Sequence, residues 1–419
     1  MHPALRDLAE SRKRGRPRGI TSVCSAHPLV IRAAIRHGVA HGAAVLIEAT
    51  CNQVNQEGGY TGMTPADFAR LVRAMAAEEG LAGENLILGG DHLGPNPWKS
   101  LPAEEAMARA GAMMRAYVEA GFEKIHLDAS MGCKGEPPAL GDEVVAARAA
   151  QLAAIAEKHA PDPARLAYVI GTEVPVPGGA DHVLDHVTPT SPEAAWNTVA
   201  VHRDTFRREG LESAFDRVIA AVVQPGVEFG NANVVAYDRQ AAARLSAALD
   251  RLDRLVFEAH STDYQPPEAL SALVRDGYPI LKVGPWLTFA LREALYGLDL
   301  VAGELDPSYG SRPLYQAMEA LMQSEPGHWR GHYHGEEAEQ RLHRHYSYSD
   351  RIRYYWPHET AQAAIGRLQR ALEGRTIPEP LFSQFLPGLP ANLGHAGVDA
   401  ILIAAVTRVL DLYAAATMA

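Results

Sequence analysis

Leu86-Ile87-Leu88-Gly89-Gly90-Asp91-His92-Leu93-Gly94-Pro95 is a short aliphatic run that ends in two glycines, a carboxylate–imidazole pair and a Gly-Pro break. A few aliphatic residues with no polar face read as a strand buried on both sides, and the polar pair then falls at its carboxyl end. The same pattern recurs in both directions along the chain. Toward the amino terminus, Val45–Ala49 precedes Thr50-Cys51-Asn52-Gln53, and Ile20–Val23 precedes Cys24-Ser25-Ala26-His27. Toward the carboxyl terminus, Ile125–Leu127 runs into Asp128-Ala129-Ser130, and Ala167–Ile170 into Thr172-Glu173-Val174-Pro175. Val218–Val223 leads to Gln224-Pro225-Gly226, Leu255–Phe257 to Glu258-Ala259-His260-Ser261-Thr262-Asp263, and Ile280–Val283 to Gly284-Pro285-Trp286.

Between these runs the apolar residues take helical spacing, as in Leu29-Val30-Ala33-Ala34-Val39 and Ala106-Ala110-Met113-Met114-Tyr117-Val118. Thr64-Pro65 and Ser191-Pro192 each place a capping side chain before Pro at the first helical position. Eight strands each followed by a helix imply a parallel sheet with right-handed crossovers. Eight is also the number that closes a (β/α)8 barrel, for which about 280 residues is an ordinary span. An open doubly wound sheet would carry a Gly-rich turn after its first strand, and Cys24-Ser25-Ala26-His27-Pro28 is not one. The expected fold class is therefore α/β: a (β/α)8 TIM barrel over residues 19–300, a polar lead-in over 1–18 and a helical C-terminal extension over 301–419.

The 419 residues carry 39 Lys and Arg against 50 Asp and Glu, a formal charge of −11, which argues against a nucleic-acid partner. At 47% hydrophobic and 21% charged the chain is ordinary globular material. Three cysteines, Cys24, Cys51 and Cys133, make no disulfide framework, so a reducing, cytoplasmic setting is expected. The apolar stretches are punctuated by charges short of the about 18–20 residues a membrane span needs. Residues 1–18, with Arg12-Lys13-Arg14 and Arg16, lack the apolar core of a signal peptide and read as a solvated lead-in, contact with an anion or another subunit being the alternative. His332-Tyr333-His334, His343, His345 and Tyr346-Ser347-Tyr348-Ser349-Asp350-Arg351 crowd one segment of the extension. Its spacings match no zinc signature, so packing or subunit contact is expected there.

In a parallel barrel the reactive groups collect where the βα loops converge. Asp91-His92 is the leading candidate: a neutral imidazole can hold a divalent ion while the adjacent carboxylate moves a proton. Glu173, Gln224, Glu258 and His260 are the other candidates for a nitrogen-and-oxygen shell. Glu173 and Glu258 read equally as structural ion pairs, and Gln224 as a hydrogen-bonding group for substrate or loop. Lys99, Lys134, Lys282 and Arg351 are candidate phosphate partners, solvation being the ordinary fate of such side chains.

At these motifs, together with Gly19–Pro28, Glu48–Gln56, Lys282–Pro285 and Tyr346–Trp356, the sequence resembles the class II, metal-dependent ketose-bisphosphate aldolases. Within that superfamily it is most similar to the Z-type subunit of tagatose-bisphosphate aldolase. The resemblance implies Asp91 as acid/base, His92 as metal ligand and Glu173 as the carboxylate after the fifth strand, a catalytic group or ligand. It sets Gln224 where the aldolases' next metal His falls, and Glu258 or His260 where their last one falls, Glu258 being also a candidate catalytic carboxylate. Ser25, His27, Asn52, Gln53, Asp128, Ser261, Thr262 and Gly284 become the substrate-binding set, with Ser261-Thr262 and Gly284-Pro285 replacing the usual residues of the Gly-rich phosphate loop. A divalent metal is implied, zinc first and manganese second, with a ketohexose or its phosphate as ligand.

The resemblance implies two functional classes in tagatose, galactitol or amino-sugar catabolism. One is a ketose 4-epimerase working by retro-aldol and aldol steps; the other is a non-catalytic subunit that stabilises a separate class II aldolase subunit. A two-metal aldose–ketose isomerase would need more ligands than Glu173, Glu258, His92 and His260. A kinase has no support, since no Walker-type loop is present. Self-association is left open.

Overall fold

The computed structural model describes residues 1–172 and 186–418. Eight parallel strands close into a barrel: β1 (Ile20–Cys24), β2 (Val45–Thr50), β3 (Leu86–Leu93), β4 (Lys124–Leu127), β5 (Ala167–Ile170), β6 (Val218–Val223), β7 (Val256–Ala259) and β8 (Ile280–Val283). Neighbours follow chain order, and closure comes from β1 against β8, with Ile20 opposite Ile280 and Val23 opposite Val283. Each strand matches one apolar run to within a few residues. β3 is the exception, because it continues through Gly89-Gly90-Asp91-His92 to Leu93.

The helices that follow the strands are α1 (Pro28–His41), α2 (Pro65–Glu78), α3 (Ala103–Glu119), α4 (Asp142–His159), α5 (Pro192–Arg208), α6 (Arg239–Ala248), α7 (Pro267–Asp276) and α8 (Pro285–Leu305). Their starts follow the local signals. Thr64 and Asp67 form a reciprocal capping box before α2, and Ser191 accepts from the Ala194 amide before α5. A continuous apolar layer between strands and helices, including Val30, Phe68, Met113, Leu152, Phe206, Leu270 and Leu291, supplies most of the buried surface.

Two parts depart from expectation. The first eighteen residues are not a solvated lead-in: they form two short helices whose Leu5 and Leu8 are buried against Ile20, Leu46, Ile87, Val169, Ile219 and Ile280, plugging the lower end of the barrel. Polar spacing around two isolated leucines hid that plug. The extension comprises α9 (Pro313–Ser324), α10 (Glu337–Tyr346), α11 (Glu359–Leu372), α12 (Glu379–Phe385) and α13 (Val398–Thr417). By length and composition α13 is apolar enough to cross a membrane, contrary to the sequence reading, yet it packs on α1, α7 and α8 with 61% of that span buried.

The His- and Tyr-rich segment packs on its own barrel. His345 is paired with Glu319 at 2.9 Å and its other nitrogen lies 2.6 Å from the Tyr296 hydroxyl. Asp350 accepts from Thr288 and Arg292, and Tyr264 donates to the Tyr348 carbonyl at 2.7 Å. These bonds set the segment against the carboxyl ends of β7 and β8, with Arg353 and Tyr354 facing the barrel mouth.

Candidate active site at the barrel mouth

Strand geometry explains which side chains turn inward. Residues two apart on a strand share a face, so Glu48 and Thr50 on β2, Lys124 and His126 on β4, and Lys282 and Gly284 at β8 each pair on one side. Glu48, Lys124, His126 and Glu258 are all fully buried. The Lys124 ammonium lies 2.7 Å from Glu48 Oε1 and 2.7 Å from Glu258 Oε2. Lys282 Nζ lies 2.6 Å from Glu48 Oε2, contacts Asp91 Oδ1, and is 3.7 Å from Glu258 Oε1. A charged layer therefore crosses the barrel beneath the mouth. Such burial is stable only because every charge is paired.

Above it, the end of β3 is bulged: the pairing with β4 shifts between Gly90 and Leu93, and His92 takes φ +50°. Adjacent strand residues normally face opposite ways. The bulge and the left-handed turn let Asp91 and His92 both serve the same site, at a backbone cost of about 1–3 kcal/mol. Gly94 is required at this turn, since a Cβ there would collide with the Asp128 carbonyl.

Asp91, His92, His126 and His260 offer four ligand atoms within 4.8 Å of one another, all from buried residues. The rings lie 4.9–5.2 Å apart between centroids. His92 Nδ1 is held by Asp128 Oδ2 at 2.7 Å, and His260 Nε2 by Glu258 Oε1 at 2.9 Å. A carboxylate on one ring nitrogen fixes the tautomer and frees the other nitrogen for a cation. His126 Nε2 is buried with no hydrogen-bond partner among the described residues. Burial pushes His260 down to about 3, which keeps it neutral. For His92 burial acts downward, but Asp91 and Asp128 outweigh it and the net shift is upward. Asp91 is lifted by burial and lowered more strongly by His92 and Lys282, so it stays ionised.

Four carboxylates, Glu48, Asp91, Asp128 and Glu258, thus face two ammonium groups, Lys124 and Lys282, around three imidazoles. The carboxylates outnumber the ammonium groups, which favours a cation among the imidazoles. Imidazole donors with a carboxylate suit zinc or manganese, so the residues present fit the ion the aldolase resemblance implies.

The cavity over this cluster is lined by Cys24, Asn52, Gln53, Tyr60, Ser261, Asp263, Lys282, Gly284, Arg353 and Tyr354. Among the expected substrate residues, Asn52, Gln53, Ser261 and Gly284 reach it. Ser25 and His27 line an adjoining chamber that shares Tyr60 and Arg353 as a wall. Asp128 lies behind His92 rather than in the cavity, and the Thr262 hydroxyl is taken by the Lys282 carbonyl at 2.6 Å. Glu258 is turned down into the charged layer, so His260 and not Glu258 joins the imidazole cluster.

Gln224 is placed elsewhere: its amide oxygen accepts from the Gly226 and Val227 amides at 2.8 and 2.9 Å, closing its own loop. Glu173 lies outside the described residues. Lys99 and Lys134 are exposed, Lys282 is paired within the charged layer, and Arg351 donates to the His328 carbonyl instead of entering the cavity. The sequence reading missed His126, Lys124, Asp263 and Arg353. A polar residue at every second position of Lys124-Ile125-His126-Leu127, inside an otherwise buried strand, is the signal that marks the first two.

Comparison with known proteins agrees with this architecture. The profile of the D-tagatose-1,6-bisphosphate aldolase subunit GatZ/KbaZ-like family matches residues 5–418. A D-tagatose 6-phosphate 4-epimerase of Agrobacterium fabrum is 62% identical over 420 residues, covering 100% of this chain and 99% of that protein. The crystal structure of a protein described as a probable tagatose 6 phosphate kinase, from Sinorhizobium meliloti 1021, superposes with a TM-score of 0.88 at 57% identity, covering 95% of this chain and 100% of the other. The chain belongs to the D-tagatose-1,6-bisphosphate aldolase subunit GatZ/KbaZ-like family.

Proposed function

We propose that the chain interconverts D-tagatose 6-phosphate and its C4 epimer, D-fructose 6-phosphate, by breaking and remaking the C3–C4 bond at a divalent-metal site. The observation that carries the reading is the buried Asp91, His92, His126 and His260 cluster at the floor of the mouth cavity. It is supported by the relative named as a D-tagatose 6-phosphate 4-epimerase. His92, His126 and His260 would hold the ion, and a bound divalent ion supplies Lewis-acid polarisation of the ketose carbonyl.

Asp91 is the proton acceptor. Thr50 Oγ1 donates to its Oδ2 at 2.9 Å and Lys282 contacts its Oδ1, so the carboxylate is ionised and fixed in place. It takes the proton of the C4 hydroxyl; the C3–C4 electron pair passes to the ketone fragment as an enolate, and C4 becomes an aldehyde. Rotation of that aldehyde about C4–C5 presents its other face. The enolate then re-adds, and Asp91 returns the proton to O4. Proton and electron pair are both restored, so no outside reagent is needed. Tyr60, Arg353 and Tyr354 line the cavity, where their contacts would hold the aldehyde fragment for re-addition.

The test is purified full-length protein loaded with zinc or manganese, given D-tagatose 6-phosphate in deuterated water and followed by NMR. The reading predicts D-fructose 6-phosphate with the original hydrogen retained at C4, because that C–H bond is never broken. Deuterium at C4 refutes the retro-aldol route. Complete inactivity with both metals, together with stabilisation of a class II aldolase, would favour a non-catalytic subunit.

A further inference from the structure

Two places on the cavity wall suit a phosphate, and the chain treats them oppositely. One is the start of α8, a 21-residue helix directly after β8. In barrels of this kind a helix start beside the seventh and eighth strands is a common phosphate seat, because first-turn amides and the helix dipole both favour an anion. Here the chain fills that seat itself. Asp263, 3% exposed, accepts through Oδ1 from the Gly284 amide at 3.0 Å and the Trp286 amide at 2.8 Å. The loop that carries it is built for this: Ser261 and Tyr264 flank it with φ of +54° and +62°, and Tyr264 is anchored on the Tyr348 carbonyl.

The other place is Arg353, on the wall shared by the cavity and the adjoining chamber. Its guanidinium donates only to neutral oxygens, the backbone carbonyls of Ser349 and Asp350 and the Tyr354 hydroxyl. Among the described residues no carboxylate lies within ion-pair distance of it. Lys282, the other cation on the wall, is held by Glu48, Asp91 and Glu258. Among the described residues, Arg353 is therefore the cavity cation that no carboxylate pairs with directly, Asp263 and Asp350 feeling its charge only at longer range, and one anion seat is already taken.

We propose, building on the epimerase reading, that the cavity admits a ketose bearing a single phosphate, seated at Arg353, and that Asp263 excludes a second phosphate by occupying the start of α8. Asp263 is thus a specificity-determining residue that separates ketose monophosphates from ketose bisphosphates. A second phosphate would have to displace a buried carboxylate or lie against it, and like charges brought together in this way are strongly disfavoured.

The test is calorimetric binding of D-tagatose 6-phosphate and D-tagatose 1,6-bisphosphate to metal-loaded full-length protein, which requires no turnover. The monophosphate should bind at least about 100-fold more tightly than the bisphosphate. Asp263→Asn, which keeps an acceptor oxygen for the two amides but removes the charge, should narrow that gap at least about tenfold. Arg353→Gln should weaken the monophosphate about 10- to 100-fold, toward the unphosphorylated sugar. Equal or tighter binding of the bisphosphate by the unaltered protein overturns the proposal, as does binding of neither ligand; that comparison stands even if a variant fails to fold. A folded Asp263→Asn protein with an unchanged ratio overturns it too. Absence of epimerisation with the expected binding ratio would fault the assigned reaction and leave the phosphate selection intact.

Discussion

Lys124→Met separates the contribution of the buried charged layer from that of the site above it. Lys124 is fully buried and its ammonium bridges two equally buried carboxylates, each at 2.7 Å. Methionine matches the aliphatic stem, so the substitution leaves little cavity and the effect is electrostatic. Glu48 keeps Lys282 at 2.6 Å, whereas Glu258 keeps only His260 at 2.9 Å and a distant Lys282 at 3.7 Å. Removing one partner of a buried pair typically destabilises by about 3–5 kcal/mol, because the surviving charge is left in low dielectric. The expected loss is therefore about 3–5 kcal/mol, carried mainly by Glu258. Adding Glu258→Gln to Lys124→Met should recover part of it. The assay is equilibrium urea unfolding followed by circular dichroism and tryptophan fluorescence. A loss below about 1 kcal/mol, or a double variant less stable than the single one, would refute the idea that the layer is a mutually dependent set of ion pairs.

Asp128→Asn removes the carboxylate that holds His92 Nδ1 at 2.7 Å, and metal affinity should fall about 10- to 100-fold with the fold intact, read by competition with a chromophoric chelator. Asp91→Asn should lower kcat for epimerisation by about 10²–10⁴-fold with a smaller change in KM, and an active variant would remove Asp91 from the proton transfer. Acid should destabilise the chain. Burial pushes His27, His202 and His345 down to about 4, so unfolding takes up their protons as pH falls from 6.5 toward 4, and the stability they confer at neutral pH is lost over that window. Burial pushes Asp263 and Asp350 up to about 6, so these two act in the opposite sense between 6 and 3.8. With His260, which burial pushes down to about 3, these depressed histidines outnumber the raised carboxylates four to two, so stability falls as pH drops from 6.5 toward 5. Urea midpoints at pH 7, 6 and 5 check this, and a midpoint that rises on acidification contradicts it.

The fold was legible because the barrel announces itself eight times. Runs such as Val218–Val223 and Ile280–Val283 have no polar face, and strong caps such as Thr64-Pro65 set the helices between them. The site was legible only where its residues cluster in sequence, as at Asp91-His92 and Glu258-Ala259-His260. Lys124 and His126 were hidden by treating their strand as simply apolar, although the period of two puts both on the inner face. Arg353 stands 71 residues beyond Lys282 and reaches the mouth only through the packing of Asp350 on Thr288 and Arg292, which no local pattern encodes. Gln224 carried two readings, and its amide oxygen takes the loop hydrogen bonds that its own residue type suggested, whereas the ligand position came only from aligning it with the aldolases.

The proposed chemistry requires one ion held by three imidazoles. Anomalous diffraction from crystals of the zinc-loaded protein, collected at the zinc edge, tests it most directly. A single ion about 2.0–2.1 Å from one nitrogen each of His92, His126 and His260 is predicted. An ion bound elsewhere, or a cluster that stays empty in zinc while the protein epimerises its sugar, would contradict it.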